Sequence, residues 1–448
     1  MKHSRGRDSH EPPIGMSVKI VLVGAGSHSF GRGTIADVLS CRTLGEAEAR
    51  LVLTDVDEAA LARMHALATR MKEHFRSPVA VESTTDRRSA LAGADFVIVS
   101  VAIRRMELWE QDFRVPLAFG FKHVLGENGG PGALFHALRS YELVIPLCRE
   151  MESVCPKAML FNFTNPESRV CMAISKLTTL KFVGICHGVS GGRAFVSRVL
   201  ERSEDELDMV TGGLNHFFWF LKIADAATGE DLYPELIRRI EGPKAAMCPP
   251  LTRRMLDLFG LLMFPSDDHI GEYIPFAYED LGLRWHYGIE CRRVPKPGTV
   301  QNKEEAHNWA GPATPLDESL LRPSGEHAVP IISDIVTGTR RWWPSVNVAN
   351  TGLYVGNLPE DAIVEVPAEV DGNGIHPQKV GNLPEALAAM CRTQISIQKL
   401  IVEAYAKRSK KLLLEALLLD PVVDSAERAR KMLDTMLDLQ KDYLPEFK

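Results

Sequence analysis

Gly24-Ala25-Gly26-Ser27-His28-Ser29 follows the apolar run Val18–Val23. Gly24 and Gly26 stand where a tight turn and a close backbone approach to a pyrophosphate need residues without side chains. With Ser27 they are the cofactor-binding candidates of this loop. The third position of the dinucleotide fingerprint holds Ser29 instead of glycine. A second apolar run, Leu51–Thr54, ends at Asp55. A carboxylate there would bond ribose hydroxyls and repel a 2′-phosphate, which favours NAD over NADP. The alternative is a generic glycine turn, with Asp55 capping the next helix.

Other polar residues also follow apolar runs. Arg104 and Arg105 follow Phe96–Val101, Asn162-Phe163-Thr164-Asn165-Pro166 closes Met159–Phe163, and Cys186-His187 closes Phe182–Ile185. Ligands of open α/β sheets bind beyond the carboxyl ends of the strands, so these residues are expected on the rim that carries the glycine loop. Cys186-His187 with Asn215-His216 could ligate a metal, since thiolate and imidazole bind first-row divalent ions. Their spacing fits no closed structural zinc site, so such a site would be open and catalytic. The plainer alternative is a small buried thiol and a hydrogen-bonded histidine. Tyr273 lies in the polar cluster Ser266–Tyr273. With a reference pKa of ~10, tyrosine is a poor base unless a cation lowers it, so on residue type alone Tyr273 reads as a packed side chain. Trp342-Trp343 likewise reads as core packing, with a sugar platform as the alternative.

The apolar runs themselves indicate strands. They alternate with helical patterns such as Glu58–Glu73, the signature of a parallel sheet covered by helices. After about residue 190 helical segments dominate. Lys296–Pro330 is irregular and Ser345–Pro367 is β-like. Helices are expected from about Pro384 to Arg408 and through Leu412–Asp420, where Pro421 stops the second. The expected organisation is a polar, disordered tail over residues 1–15, with Met16 as an alternative start, an NAD-binding Rossmann-like domain over 16–190, and an α+β substrate and oligomerisation domain over 191–448.

The bulk properties narrow the function. The chain has 448 residues, and 52 basic against 58 acidic residues give a net charge of −6 with no basic block. This argues against nucleic-acid and anionic-membrane partners. Apolar residues at 45% and charged residues at 25% are ordinary for a globular protein, and no apolar run reaches the ~18 residues a membrane span needs. Eight scattered cysteines without a C-x-x-C pair read as reduced cytoplasmic thiols.

Taken in order, VGAGS, LTDVD, GENGGPGALFHALRS, NFTNP, GICHG, GGLNHFFW, NVANTGLYVGNLPEDAIVEVP and EALLLDP resemble glycoside hydrolase family 4, the NAD- and manganese-dependent glycosidases. The likeness runs from about Lys19 to Asp420. Lactate and malate dehydrogenases, relatives in fold, lack the Cys-His and Asn-His pairs in this arrangement. The resemblance implies that Cys186 and His216 bind the metal, that Asn165 contacts substrate beside it, and that Arg104 is a substrate-binding arginine. Tyr273 falls at the position of the catalytic base. His187 stands where phospho-α-glucosidases carry an aspartate linked to the general acid, as it does in members acting on unphosphorylated α-glycosides and α-uronides.

The implied reaction is a redox-assisted elimination, an exception to the two-carboxylate rule of glycosidases. NAD⁺ takes a hydride from C3 of the sugar, the metal stabilises the charge developing on the sugar oxygens, and a base removes the C2 proton. The aglycone leaves, water adds, and the hydride returns, so the cofactor is not consumed. The expected substrate is an unphosphorylated α-glycoside or α-uronide, and the expected assembly is a dimer or tetramer of the chain. The competing readings are an NAD-dependent dehydrogenase of a hydroxy acid or sugar, which would release NADH stoichiometrically, and a catalytically silent NAD- or sugar-sensing protein.

Overall fold

In a computed structural model, the described residues are 18–27, 30–282, 284–285, 289–290, 316 and 318–448. Residues 1–15, Met16, His28 and Ser29 therefore lie outside them, with much of the stretch 296–330. The strands are β1 (Lys19–Val23), β2 (Arg50–Thr54), β3 (Ala80–Ser83), β4 (Phe96–Val99), β5 (Met159–Asn162), β6 (Lys181–Gly184), β7 (Leu207–Leu214) and β8 (Phe217–Asp225), followed by the short pair β9 (Arg284–Trp285) and β10 (Ile289–Glu290), and by β11 (Arg341–Ala349), β12 (Ile363–Asp371) and β13 (Gly374–Pro377). The class is α/β, with parallel strands at the N-terminal end and mixed strands further on, as expected. The chain divides into two compact units.

The first unit comprises the described residues of Met1–Ile98, Glu304–Trp343 and Ala368–His376. Its strands lie in the order β3-β2-β1-β4, with β1, β2 and β3 parallel. Ile20, Val21, Leu22, Leu51, Leu53, Val97 and Ile98 are fully buried. Strands covered on both faces need continuous apolar runs, which is why the sequence shows no alternation here. Asp57 caps the helix Glu58–Phe75 by accepting from the Ala60 N–H at 2.9 Å. Asp55 is thus not that helix's cap. Trp343 is buried and donates from Nε1 to Asp334 at 3.0 Å, whereas Trp342 is 44% exposed, so core packing holds for only one of the pair.

The second unit comprises the described residues of Val99–Lys303, Pro344–Pro367 and Pro377–Lys448. Its strand order is β5-β6-β11-β12-β7-β8. β5 and β6 are parallel, and the later strands join antiparallel, through Asn347 opposite Gly184 and Glu365 opposite Gly213. The 25-residue helix Gly130–Val154 is buried over most of its length and packs on the helix Glu167–Leu177. A fully buried ion pair, Arg139 to Asp112, joins this helix to Arg105–Ala118, with Gln440 bonded to both partners.

Two features depart from expectation. The β7–β8 hairpin occupies part of the stretch read as mainly helical, because the run FFWFLKIAD is buried almost throughout and carries no strand-like alternation. The β-like stretch 345–367 is two strands, β11 and β12, separated by a turn region in which Asn350 bonds four backbone groups.

Candidate active site

In the first unit the glycine loop turns directly after β1. Gly24 has φ +83° and donates to the Thr54 carbonyl at 3.0 Å. Asp55 Oδ2 accepts from the Gly26 N–H at 2.8 Å, and Oδ1 accepts from the Asp57 N–H at 3.0 Å. A Cβ on Gly26 would lie 2.9 Å from both Asp55 Oδ2 and the Ala60 Cβ, so only glycine lets loop and carboxylate meet. Ser27 Oγ accepts from the Phe30 N–H at 3.3 Å, at the start of the helix Phe30–Ser40. A bare loop opening onto a helix N-terminus is a fitting cradle for a pyrophosphate, with Asp55 at the end of β2 as a ribose acceptor.

The remaining candidates lie in the second unit. Cys186 follows β6, and His216 sits in the two-residue turn of the β7–β8 hairpin, where it takes φ +60°. This turn brings His216 Nε2 to 3.2 Å from Cys186 Sγ, across 30 residues of chain. Burial, together with the nearby His269 and His187, holds the His216 imidazole well below its usual pKa. It is therefore neutral at physiological pH, the form that ligates metals. Among the described residues, none bonds His216 Nδ1, which is buried. A soft sulfur donor facing a neutral imidazole is a donor set that fits a divalent metal.

His187 is exposed at the N-cap of the helix Gly188–Leu200, beside this pair. Asn165 follows β5. Its Nδ2 donates to Glu127 Oε1 at 3.3 Å, and its carbonyl accepts from Ser140 Oγ at 2.7 Å. Arg105 also donates to Glu127 Oε1, at 3.0 Å. Arg104, with φ +40°, turns elsewhere: it pairs with Glu107 at 2.6 Å and donates to the Tyr443 hydroxyl at 2.5 Å. Of the two adjacent arginines, it is therefore Arg105 that shares a carboxylate with Asn165.

The segment 266–273 is clamped at both ends by carboxylates. Asp267 accepts from the Leu251 and Thr252 N–H groups, each at 2.8 Å, and so caps the helix Pro250–Phe259. Glu272 Oε2 accepts from the backbone N–H groups of Glu127, Asn128 and Gly129 at 2.6, 2.5 and 2.9 Å. Between these anchors lies His269, whose ring centroid is 4.2 Å from that of His216 and whose Nδ1 is 3.7 Å from Glu272 Oε1. Burial disfavours the charged His269, but Glu272 and Glu127 outweigh it and raise its pKa. Tyr273 is buried, with its ring 4.6 Å from that of Phe217. Burial and then Glu272 raise the Tyr273 pKa well above 10, while Arg169 opposes them. A tyrosinate here needs a further positive charge beside it.

One chain of contacts thus joins Cys186, His216, His269, Glu272, the 127–129 loop and Asn165, with Tyr273 packed at its side. Glu127 and Glu272 were given no role from sequence. Glu127 sits in the glycine-rich GENGG motif and Glu272 precedes Tyr273, and an acidic residue among glycines was the one available signal.

A sequence model of family 4 glycosyl hydrolases matches residues 19–202, and a model of that family's C-terminal domain matches residues 211–423. An α-glucosidase of Erwinia rhapontici is 32% identical over 469 residues, which cover 96% of this chain and 99% of that protein. An α-galactosidase of Rhizobium meliloti is also 32% identical, over 96% of this chain and 90% of its own length. Among solved structures, a 6-phospho-α-glucosidase from gut microorganisms, in complex with NAD and Mn²⁺, has a TM-score of 0.79 at 23% identity, covering 97% of this chain and all of that one, which is a likeness of fold.

Proposed function

The chain belongs to the family 4 glycosyl hydrolases, and from that premise we propose that it is an NAD- and divalent-metal-dependent glycosidase acting on an unphosphorylated α-glycoside or α-uronide. The sugar is oxidised at C3, deprotonated at C2, relieved of its aglycone, hydrated and reduced again. When bound, NAD⁺ supplies the hydride acceptor and manganese supplies Lewis acidity.

The chain's own residues have the following parts. Gly24, Gly26 and Ser27 hold the pyrophosphate, and Asp55 accepts from the ribose hydroxyls. Cys186 and His216 hold the metal. Asn165 orients the sugar, with its amide fixed by Glu127. Arg104, at the start of the helix Arg105–Ala118, would bind substrate by exchanging its contacts with Glu107 and Tyr443 for the sugar. Tyr273 would take the C2 proton on its phenolic oxygen; burial opposes the tyrosinate this needs, and a neighbouring cation would favour it. His187, exposed beside Cys186, is the group at the general-acid position.

The approach of Cys186 Sγ to His216 Nε2, at 3.2 Å, carries this reading. A silent sensor has no need of an oxidisable thiol beside a neutral imidazole. We include in the proposal a cytoplasmic location and a homo-oligomeric state, for which size-exclusion chromatography with light scattering is the test. Among the described residues no helix is long and apolar enough to cross a membrane.

The test of activity is a panel of aryl α- and β-glucosides, galactosides and uronides, assayed with Mn²⁺, reductant and NAD⁺ far below substrate. Many turnovers per NAD⁺, lost in Cys186→Ala, are expected. One NADH released per substrate consumed would instead identify a dehydrogenase.

A further inference from the structure

Cys186 and His216 are two protein donors, and they leave a divalent ion's coordination shell largely unfilled. We infer that His269 is a third protein ligand to the metal and that Glu272 is the carboxylate that orients it, an inference that rests on the metal-dependent reading above. Donor atoms of His216, His269 and Glu272 all lie within 4.8 Å of one another. Ligand bonds of about 2.0–2.2 Å place two donors of one ion at most ~4.4 Å apart, so small side-chain rotations bring the two imidazoles onto one ion.

The second observation concerns the polar atoms of this pocket. Among the described residues His269 Nδ1 is buried without a hydrogen bond of ordinary length, and Glu272 Oε1 lies 3.7 Å from it. A metal-bound histidine donates its other ring N–H to a carboxylate, which fixes tautomer and ring orientation. With Nδ1–H directed to Glu272, the lone pair sits on Nε2 and is free to ligate. Glu272 is built for such a duty. Its side chain is fully buried, Oε2 is held by three backbone N–H groups at 2.5–2.9 Å, and Oε1, which accepts from Asn128 Nδ2 at 3.5 Å, faces His269. A carboxylate bound this firmly does not swing onto the metal itself. Asp267, anchored on the helix Pro250–Phe259, fixes the segment two residues before His269, so the ring is delivered from a rigid support. The His269 ring lies nearly parallel to that of Phe264, at 13° and 5.9 Å between centroids, and Phe264 packs on His216 as well, at 5.7 Å. A histidine packed against an aromatic ring and a second imidazole, backed by an immobilised carboxylate, has the surroundings of a ligand.

The experiment measures metal binding to the full-length protein, stripped with chelator and kept reduced, without reference to turnover. Mn²⁺ is titrated calorimetrically, and Co²⁺ is added in parallel to read coordination from its visible absorption. His269→Ala is expected to weaken Mn²⁺ binding by at least tenfold and to change the intensity and position of the Co²⁺ bands. Glu272→Gln keeps the ligand and the shape of its support, and should weaken binding about 10–100-fold. Retained NAD⁺ binding and an unchanged melting profile show that each variant is folded. Should His269→Ala fail that control, Glu272→Gln carries the decision. Wild-type affinity and a wild-type Co²⁺ spectrum in the folded variants would overturn the assignment. If Cys186→Ser loses the metal while these variants keep it, the third-ligand assignment fails and the metal-dependent reading stands. If the wild-type protein binds neither ion, both fail.

Discussion

Gly129→Ala is expected to destabilise the protein and to loosen the catalytic segment through a single methyl group. A Cβ at Gly129 would lie 2.7 Å from the Glu272 carbonyl oxygen and 2.9 Å from the Glu272 carbonyl carbon and Cβ. Gly129 has φ −130°, an ordinary extended value, so the whole cost is steric. Ordinary contact starts near 3.4 Å, so the Glu272 backbone must retreat by about 0.7 Å. The carboxylate bonds to residues 127–129 then stretch from 2.5–2.9 Å to about 3.2–3.6 Å, at or beyond the ~3.2 Å limit of a good N–H···O bond. One or two bonds to a charged acceptor at about 1.5–3 kcal/mol each, with overpacking of about 1–3 kcal/mol partly relieved by the shift, give a loss of about 2–5 kcal/mol. Urea unfolding followed by circular dichroism reads this as a lower midpoint, and Mn²⁺ affinity should fall with it. Gly191→Ala is the control. Gly191 is exposed in the helix Gly188–Leu200 with nothing near its would-be Cβ, so alanine there should stabilise by about 0.5–1 kcal/mol. An unchanged midpoint and unchanged metal binding in Gly129→Ala would refute the view that the 127–129 loop holds Glu272 in place.

Two further predictions concern buried charge and the cofactor. Burial raises the Glu167 carboxyl from 4.5 to about 8, with Cys171 and Ser168 opposing it. A raised folded-state value means that the group's contribution to stability is fully present below pH 4.5 and is lost as pH rises towards about 8. Glu167→Gln should therefore flatten the fall in stability over that window, as measured by thermal melts at stepped pH; an unaltered slope would contradict this. Asp55→Ala removes the acceptor for the Gly26 N–H and the carboxylate facing a 2′-phosphate. It should weaken NAD⁺ binding and narrow its preference over NADP⁺, and equal or tighter NADP⁺ binding by the wild type would show that Asp55 does not face the ribose.

What could be read from sequence followed from burial on both faces. β1, β2, β4, β5 and β6 are short apolar runs ending in polar residues, so both the strands and the rim they present were visible. β3 was not, because its four residues, Ala-Val-Glu-Ser, are only half covered and carry no pattern. The β7–β8 hairpin was hidden by the opposite excess, since a continuous aromatic run does not separate strand from buried helix. At the site, Cys186 and His216 were legible as residue types in marked motifs. The supporting carboxylates were not. Glu272 reads locally as a solvated acid, and its burial depends on N–H groups 145 residues away in sequence. Arg104 and Arg105 were indistinguishable as neighbours, and the left-handed turn at Arg104 separates them, sending one to Tyr443 and the other to Glu127.

The central claim is that the glycosidic bond is broken by oxidation and elimination, with Tyr273 removing the C2 proton. Its most direct test is turnover of an α-glycoside in D₂O with reduced enzyme, Mn²⁺ and a trace of NAD⁺, followed by analysis of the released sugar by NMR. The account predicts deuterium at C2 of the product, no accumulation of NADH, and loss of both exchange and cleavage in Tyr273→Phe by about 10²–10⁴. Cleavage that leaves protium at C2 would contradict it.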